Sequence, residues 1–208
     1  MSPMKNIVIL ISGRGSNMEA VVRAAESEQW PARVAAVISN KADAGGLVFA
    51  ASRGIPTAVV ANKEFSTRAA FDVALQETID RYAPDLLVLA GFMRILTSPF
   101  VEHYAGRMLN IHPSLLPLFP GLHTHEAALA AGHAEHGATV HFVTAELDHG
   151  PVVAQARIPV LPGDTPDLLA ERLLSKEHQL YPYAIRLFIE DRLSIEQGNV
   201  RILEVTSH

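Results

Sequence analysis

The first half of the chain alternates continuous apolar runs with segments of helical composition. The apolar runs, which are rich in Val, Ile and Leu, cover residues 6–12, 32–40, 57–61, 84–92 and 107–112. Runs of this kind are typical of strands buried on both faces of a parallel sheet. The clearest helical segment between them is 67–83, where apolar residues recur at helical spacing. Strands that alternate with helices in this way predict right-handed βαβ units.

The pattern changes after residue 137. Two strand-like runs, 138–147 and 151–160, are joined by the sequence DHGP, which predicts an antiparallel hairpin. Residues 165–192 have helical composition on both sides of a break expected near Pro182. We therefore predict an α/β fold: an open, mostly parallel twisted sheet with helices on both faces and this antiparallel hairpin in the C-terminal part. The 208 residues show no repeat and no linker, so we expect a single domain, 1–208.

Composition narrows the class of protein. Hydrophobic residues make up 49% of the chain, which excludes a disordered protein. The formal charge is −5 and there is no long basic run, which argues against nucleic-acid or membrane-surface partners. Cysteine is absent, so disulfides, thiolate chemistry and Cys-ligated zinc are excluded. We expect a cytoplasmic protein.

The loop SGRGSN (12–17) follows the first predicted strand and precedes a predicted helix. Its glycines permit a tight turn, and Ser16 and Asn17 are good N-cap residues. Free N–H groups at such a helix start can bind a phosphate, although a plain βα turn explains the same letters. A dinucleotide site is disfavoured because Met18 stands where the third glycine of the GxGxxG pattern would be.

A second polar group lies at the end of the fifth predicted strand, in NIHPSLLPLFPG (110–121). Side chains alternate along a strand, so Asn110 and His112 project to one face. Three prolines follow and stiffen the loop. Asn110 can donate to an oxyanion, a contact worth about 2.7–4 kcal/mol, and His112 can exchange a proton near neutral pH. The alternative is a structurally bonded histidine at a strand end.

Asp148 and several histidines complete the set of candidates. An aspartate before His149 and Gly150 is commonly a turn-former, but beside His112 it would stabilise the imidazolium. The sequence HTH (123–125), together with His141, raises a zinc alternative. Thr124 precedes a helical segment and is better explained as a helix N-cap, so we expect no metal.

These motifs occur together in one known family. ISGRGSN, SNKADA, LAGFMRIL, LNIHPSLLP, PGLHTHEAAL, HGATVHFVTAELDHGPVVAQ and KEHQLYP resemble, in order, the phosphoribosylglycinamide formyltransferases, folate-dependent enzymes of purine synthesis. The resemblance runs from about residue 5 to residue 190 and includes a Rossmann-like fold. It implies transfer of a formyl group from 10-formyltetrahydrofolate, as co-substrate, to the amine of glycinamide ribonucleotide. By resemblance His112 is the proton donor, Asn110 binds the oxyanion, and Asp148 supports the protonated His112 and relays protons through water.

The resemblance also assigns binding residues. Those that match the ribonucleotide site are Gly15, Ser16, Asn17 and Glu177. Those that match the folate site are Arg68, Met93, Arg94, Ile95, Leu96, Asn110, Thr144, Ala145, Glu146, Leu147 and Asp148.

Some residues depart from the family pattern, and related enzymes remain as alternatives. Leu118 stands where the family often has Lys, Leu174 where a polar residue is usual, and the tail after Gly198 matches nothing. Formyltetrahydrofolate deformylase and the formyltransferases of methionyl-tRNA or sugar nucleotides share the Asn-His-Asp set. The deformylase usually carries an extra N-terminal domain and the tRNA enzyme an extra C-terminal one, and we expect neither here. A non-catalytic phosphate-binding module is the alternative from another class.

Overall fold

The computed structural model describes residues 3–204, and the chain divides into two compact units, Met1–Leu109 and Asn110–His208. Among the described residues, seven strands form one sheet in the order β3-β2-β1-β4-β5-β6-β7, and two more form a separate hairpin. Within the same residues, no helix is both long enough and apolar enough to cross a bilayer. The predicted α/β class with a mostly parallel sheet is confirmed.

The first unit consists of alternating strands and helices. Its elements are β1 (Lys5–Ile11), α1 (Ser16–Ser27), β2 (Ala32–Ser39), α2 (Gly46–Ser52), β3 (Thr57–Val59), α3 (Arg68–Asp80), β4 (Leu86–Leu89) and α4 (Ser98–His103). Strand β1 pairs in parallel with β2 and β4, and β2 pairs in parallel with β3. Residues 7–11 of β1 are completely buried, as the continuous apolar run predicts.

In helix α3, the spacing of the apolar residues agrees with the burial of their side chains. Thr67 caps it, since its hydroxyl accepts a hydrogen bond from the Ala70 N–H at 3.1 Å. Phe71, Leu75 and Ile79 are buried, as the helical spacing predicts. The periodicity does not predict that Asp72, a carboxylate, is also only 3% exposed on this helix.

The second unit starts within a strand and is less regular. Its elements are β5 (Met108–His112), α5 (Thr124–Ala130), β6 (Glu135–Phe142), β7 (Val152–Pro159), α6 (Pro166–Ile189), β8 (Leu193–Glu196) and β9 (Asn199–Ile202). The predicted antiparallel pairing of β6 with β7 is confirmed. However, β6 ends at Phe142 rather than at residue 147. The register shifts after Val140 and the last pair is His141 with Val152. The Phe142 N–H still donates to the Pro151 carbonyl at 2.9 Å, so residues 143–150 form the loop outside the ladder.

The predicted break near Pro182 is wrong. Helix α6 continues through this proline for 24 residues. A proline inside a helix loses one hydrogen bond and costs about 3 kcal/mol or more. Tyr181, Pro182, Ala184 and Ile185 are all buried, and burial of one large apolar side chain gains about 1.5–3 kcal/mol. Packing of this helix face therefore outweighs the local cost.

The β8–β9 hairpin was not predicted. Its strands pair from Leu193 with Ile202 to Glu196 with Asn199, which leaves a two-residue turn. Both turn residues, Gln197 and Gly198, have positive φ, at 50° and 78°. This is the left-handed geometry that two-residue hairpin turns require. Part of the tail after Gly198 is thus the second strand of a hairpin.

Candidate active site

His112 and Asp148 form a buried ion pair in the second unit. His112 ends β5, and its Nδ1 lies 3.7 Å from Asp148 Oδ1, with both side chains less than a tenth exposed. The other imidazole nitrogen, Nε2, lies 2.9 Å from the Phe119 carbonyl oxygen. A carbonyl can only accept, so Nε2 carries a hydrogen. The other ring nitrogen, Nδ1, faces the Asp148 carboxylate.

The backbone fixes the position of Asp148. Its Oδ2 accepts a hydrogen bond from the Gly121 N–H at 2.8 Å, which leaves Oδ1 directed at His112. Asp148 itself has φ of 55°, a left-handed conformation that Asp tolerates better than most residues. The 3.7 Å separation between Nδ1 and Oδ1 is too long for a hydrogen bond but close enough for strong attraction once His112 is protonated.

Asn110 contacts His141 rather than either of those two residues. The Asn110 Nδ2 atom lies 3.3 Å from His141 Nε2, and His141 Nδ1 lies 3.0 Å from the Phe142 carbonyl oxygen. Burial lowers the pKa of His141, and the nearby His112 lowers it further, while the Phe142 carbonyl and Asp148 act in the opposite direction. His141 is therefore held neutral at neutral pH.

Thr139, on β6, fastens the proline-rich loop after His112 to the sheet. Its hydroxyl donates to the Ser114 carbonyl at 2.7 Å and accepts from the Leu116 N–H at 3.1 Å. Gln155 on β7 donates to both the Leu116 carbonyl and Thr139 Oγ1, each at 2.9 Å. Thr139 is completely buried, and a buried hydroxyl with all its bonds made rigidifies its surroundings.

The two histidines of the HTH sequence contact His136 and Glu126. His125 Nδ1 lies 3.0 Å from His136 Nε2, and His123 is exposed. Burial lowers the pKa of His136 to about 4, with help from the charges of His125 and His112. In residues 3–204, no three His, Cys, Asp or Glu side chains converge as metal ligands. The prediction of Thr124 as a helix N-cap is wrong, because the N-cap of α5 is His123. The Thr124 hydroxyl instead donates to the Pro113 carbonyl at 2.6 Å.

The glycine-rich loop of the first unit forms the predicted strand-to-helix turn with a different cap. Gly15, with φ of 72°, is the N-cap of α1, and no side chain caps this helix. Ser16 and Asn17 therefore lie in the first turn, and their prediction as N-caps is wrong because glycine reaches the left-handed conformation one residue earlier. The loop is also tightly packed: a Cβ at Gly46 would lie 3.0 Å from the Arg14 carbonyl oxygen.

The segment 93–96 of the first unit is pinned at both ends. Its first N–H, from Met93, donates to Ser12 Oγ at 2.8 Å. The following residue, Thr97, donates its N–H to the buried Asp72 carboxylate at 2.6 Å. A segment held in this way keeps its backbone groups in a fixed geometry.

The side chains of the same segment alternate in their environment. The Arg94 guanidinium lies 5.5 Å above the centre of the Phe71 ring, a cation–π contact. Met93 and Ile95 are 61% and 58% exposed, which is unusual for apolar side chains of this size. Arg68, the first residue of α3, is also exposed. The segment therefore presents two exposed apolar side chains, and Arg68 adds an exposed cationic side chain at the start of α3.

The remaining predicted site residues lie in the second unit. Glu177 is on α6 and is only 8% exposed. The loop of Thr144, Ala145, Glu146 and Leu147 is exposed, and within it the Thr144 hydroxyl donates to the Glu146 carbonyl at 3.2 Å. This loop leads directly into Asp148.

Comparison with known proteins identifies the family. The family model described as Formyl transferase matches residues 5–185. The chain belongs to the formyl transferase family. It is 53% identical over 193 residues to the phosphoribosylglycinamide formyltransferase of Escherichia coli K12, which covers 93% of this chain and 91% of that protein. Glycinamide ribonucleotide transformylase 1 from Symbiobacterium toebii superimposes with a TM-score of 0.95 at 47% identity, covering 98% and 96% of the two chains.

A formyltetrahydrofolate deformylase is a more distant member of this fold. The structure from Pseudomonas syringae superimposes with a TM-score of 0.90, but at 24% identity and over 67% of that chain. At this identity the likeness shows the shared fold alone. The family match and the two more similar relatives confirm the resemblance expected from the sequence motifs.

Three groups at this formyl transferase site were not assigned from the sequence. The Phe119 carbonyl and the Gly121 N–H position His112 and Asp148 through the backbone, so residue type carries no signal for them. His141 was considered only as a metal ligand, whereas it contacts Asn110. Residue spacing cannot reveal this contact, because it depends on which residues of β5 and β6 lie opposite each other.

Proposed function

We propose that this formyl transferase moves the formyl group of 10-formyltetrahydrofolate to the amine of 5′-phosphoribosylglycinamide, giving formylglycinamide ribonucleotide and tetrahydrofolate in purine synthesis. The observation that carries the proposal is the buried His112–Asp148 pair beside Asn110 at the end of β5. Its chemistry suits acyl transfer, because it supplies a proton donor, a counter-charge and an oxyanion donor in one unit.

The three residues have separate roles in the proposed reaction. The substrate amine attacks the formyl carbon, and the carbonyl oxygen becomes an oxyanion that accepts a hydrogen bond from the Asn110 amide. The new C–N bond remains, and the bond from the formyl carbon to the folate nitrogen breaks. The amine loses one proton, and the folate nitrogen gains one. His112 supplies that proton from Nδ1, and Asp148 stabilises the imidazolium and relays protons through water.

The binding residues complete the proposal. Gly15, Ser16, Asn17 and Glu177 hold the ribonucleotide, with the phosphate at the start of α1, where the dipole and N–H groups of a helix favour an anion. The folate contacts Arg68, the segment 93–96, Asn110 and the loop 144–148. The pinned backbone of 93–96 and its exposed apolar side chains suit a flat ring with polar edges.

We further propose that both units act as one formyltransferase domain, which the family match over residues 5–185 supports. The protein is proposed to work in the cytoplasm on small molecules, as a monomer or homodimer, without a metal, nucleic-acid or membrane partner. The formal charge of −5 supports the absence of nucleic acid.

A formyl-transfer assay tests the proposal. The purified protein is mixed with both substrates, and formylated product and tetrahydrofolate are quantified. We expect equimolar formation of the two, and a loss of about 10²–10⁴-fold in kcat for His112→Ala. His123→Ala is the matched control, because this histidine is exposed, and it should retain wild-type turnover.

Three outcomes would contradict the proposal. Formate release without a need for the ribonucleotide would identify a hydrolase. Binding of the ribonucleotide with no consumption of formyl-folate would identify a non-catalytic binding module. Normal turnover by His112→Ala would remove the proposed proton donor.

A further inference from the structure

A histidine outside the three proposed catalytic residues contacts one of them. His141 lies on β6, is 2% exposed, and contacts the Asn110 amide through Nε2 at 3.3 Å. We propose that His141 is a positioning residue: its neutral Nδ1–H tautomer holds the Asn110 amide with its NH₂ group directed to the oxyanion. The functional part of this inference rests on the proposed formyl transfer, whereas the tautomer does not.

The Phe142 carbonyl determines the tautomer. His141 Nδ1 lies 3.0 Å from this oxygen, which has only lone pairs to offer. Nδ1 must therefore carry the hydrogen, because the opposite tautomer would set two lone pairs against each other in a buried position. A neutral imidazole with its hydrogen on Nδ1 has a lone pair on Nε2.

The tautomer in turn orients the Asn110 amide. Because Nε2 can only accept, the atom of Asn110 that faces it must be the donor, Nδ2. One hydrogen of this NH₂ group is used by His141, and the second remains for another acceptor. The Asn110 carbonyl oxygen is thereby kept away from His141. Without the contact, the amide can rotate by half a turn and present its oxygen where an oxyanion must bind.

The backbone around His141 is built to bring these atoms together. The β6–β7 register shifts between Val140 and His141, and such bulges redirect side chains beside active sites. Gly150 packs against the same point: a Cβ there would lie 1.6 Å from the Phe142 carbonyl oxygen and 3.4 Å from His141 Nδ1. Only glycine permits this approach, so the carbonyl that fixes the tautomer is itself held in place.

The surroundings also keep His141 uncharged. The charged groups that face it are His112 and Asp148, and the Phe142 carbonyl accepts from its ring. Burial and His112 lower its pKa, which Asp148 and the carbonyl only partly oppose. A protonated ring would donate from both nitrogens and would require the Asn110 oxygen instead of its NH₂ group.

NMR spectroscopy of the wild-type protein tests the tautomer without any substitution. Long-range ¹H–¹⁵N spectra of protein labelled at the histidine nitrogens distinguish Nδ1–H, Nε2–H and doubly protonated rings. At neutral pH we expect the Nδ1–H form for His141, assigned by the signals lost in His141→Gln. An Nε2–H or doubly protonated ring would overturn the proposal.

Activity of two variants tests the consequence for Asn110. His141→Phe keeps the ring but removes the acceptor, and we expect kcat to fall about 10- to 100-fold with little change in KM for either substrate. His141→Gln can place its amide oxygen near the position of Nε2, and we expect at least a third of wild-type kcat. Equal losses in both variants would overturn the proposal, because they would indicate packing rather than an acceptor.

A double-mutant cycle shows whether His141 acts through Asn110. In an Asn110→Ala background, His141→Phe should lower kcat no further, because no amide is left to position. An undiminished effect in that background would overturn the proposal. If wild-type protein transfers no formyl group, the proposed function fails, but the NMR result still decides the tautomer. If His141→Phe does not fold, the NMR result and His141→Gln remain as tests.

Discussion

The charge of Asp148 is the feature of the site whose removal is most informative. Asp148→Asn keeps the size of the side chain, and its amide oxygen can still accept from the Gly121 N–H. Its NH₂ group would then face His112 Nδ1 and donate to the lone pair of the neutral ring. The substitution therefore preserves the loop while it removes the negative charge beside His112.

The size of the effect follows from the distance. Opposite charges 3.7 Å apart attract by about 4 kcal/mol at an effective dielectric constant of ~20. Both side chains are less than a tenth exposed, so solvent screens the pair little. At about 1.4 kcal/mol per tenfold, loss of this attraction for a positive charge that develops on the His112 ring in the reaction lowers kcat by up to about 10³-fold.

Steady-state kinetics and thermal unfolding together test this reasoning. We expect kcat of Asp148→Asn to fall 10²–10³-fold, while KM for the ribonucleotide stays within about threefold and the melting temperature stays within a few degrees. A variant that melts like the wild type and keeps more than a third of its kcat would refute the role of the charge. A large loss of stability would instead show that Asp148 acts mainly through the loop.

Two further predictions concern stability. Burial lowers the pKa of His136 to about 4 from 6.5, so the unfolded chain binds more protons than the folded chain between these pH values. The free energy of unfolding therefore falls by about 3 kcal/mol as the pH falls through this window. The free energy of unfolding of His136→Gln, measured in urea, should depend less on pH there, and the same pH dependence as in the wild type would contradict the assignment. Gly150→Ala should lower the free energy of unfolding by about 1–3 kcal/mol, because the alanine Cβ has no room beside the Phe142 carbonyl. Gly13→Ala, which meets nothing within 4 Å, is its control, and equal unfolding midpoints for the two variants would refute the packing argument.

Sequence patterns predict the helices and strands in which buried side chains recur at a regular spacing. The apolar run in β1 and the spacing of Phe71, Leu75 and Ile79 in α3 are consequences of burial on a regular face, so both elements were predicted. Local rules failed where tertiary packing overrides them. Pro182 continues α6 because its neighbours are buried, and Gly15 displaces the predicted caps of α1.

The site was predictable to the extent that it depends on side-chain chemistry near strand ends. Asn110, His112 and Asp148 were predicted from residue type and resemblance, and their roles stay a prediction, while the structure places His112 Nδ1 3.7 Å from Asp148 Oδ1. The contact of Asn110 with His141 depends on which residues of β5 and β6 lie opposite each other, and the local sequence does not determine this register. The β8–β9 hairpin was missed although its turn contains Gly198, because its strands are short and mostly exposed.

A single stretch of main chain, residues 119–121, bonds to both members of the ion pair. Its first carbonyl accepts from His112, and its last N–H donates to Asp148. The surroundings of His112 and Asp148 are therefore set in part by main-chain groups two residues apart, which side-chain substitution at residues 119 and 121 does not remove. A change in the conformation of residues 119–121 would therefore alter the surroundings of both side chains at once.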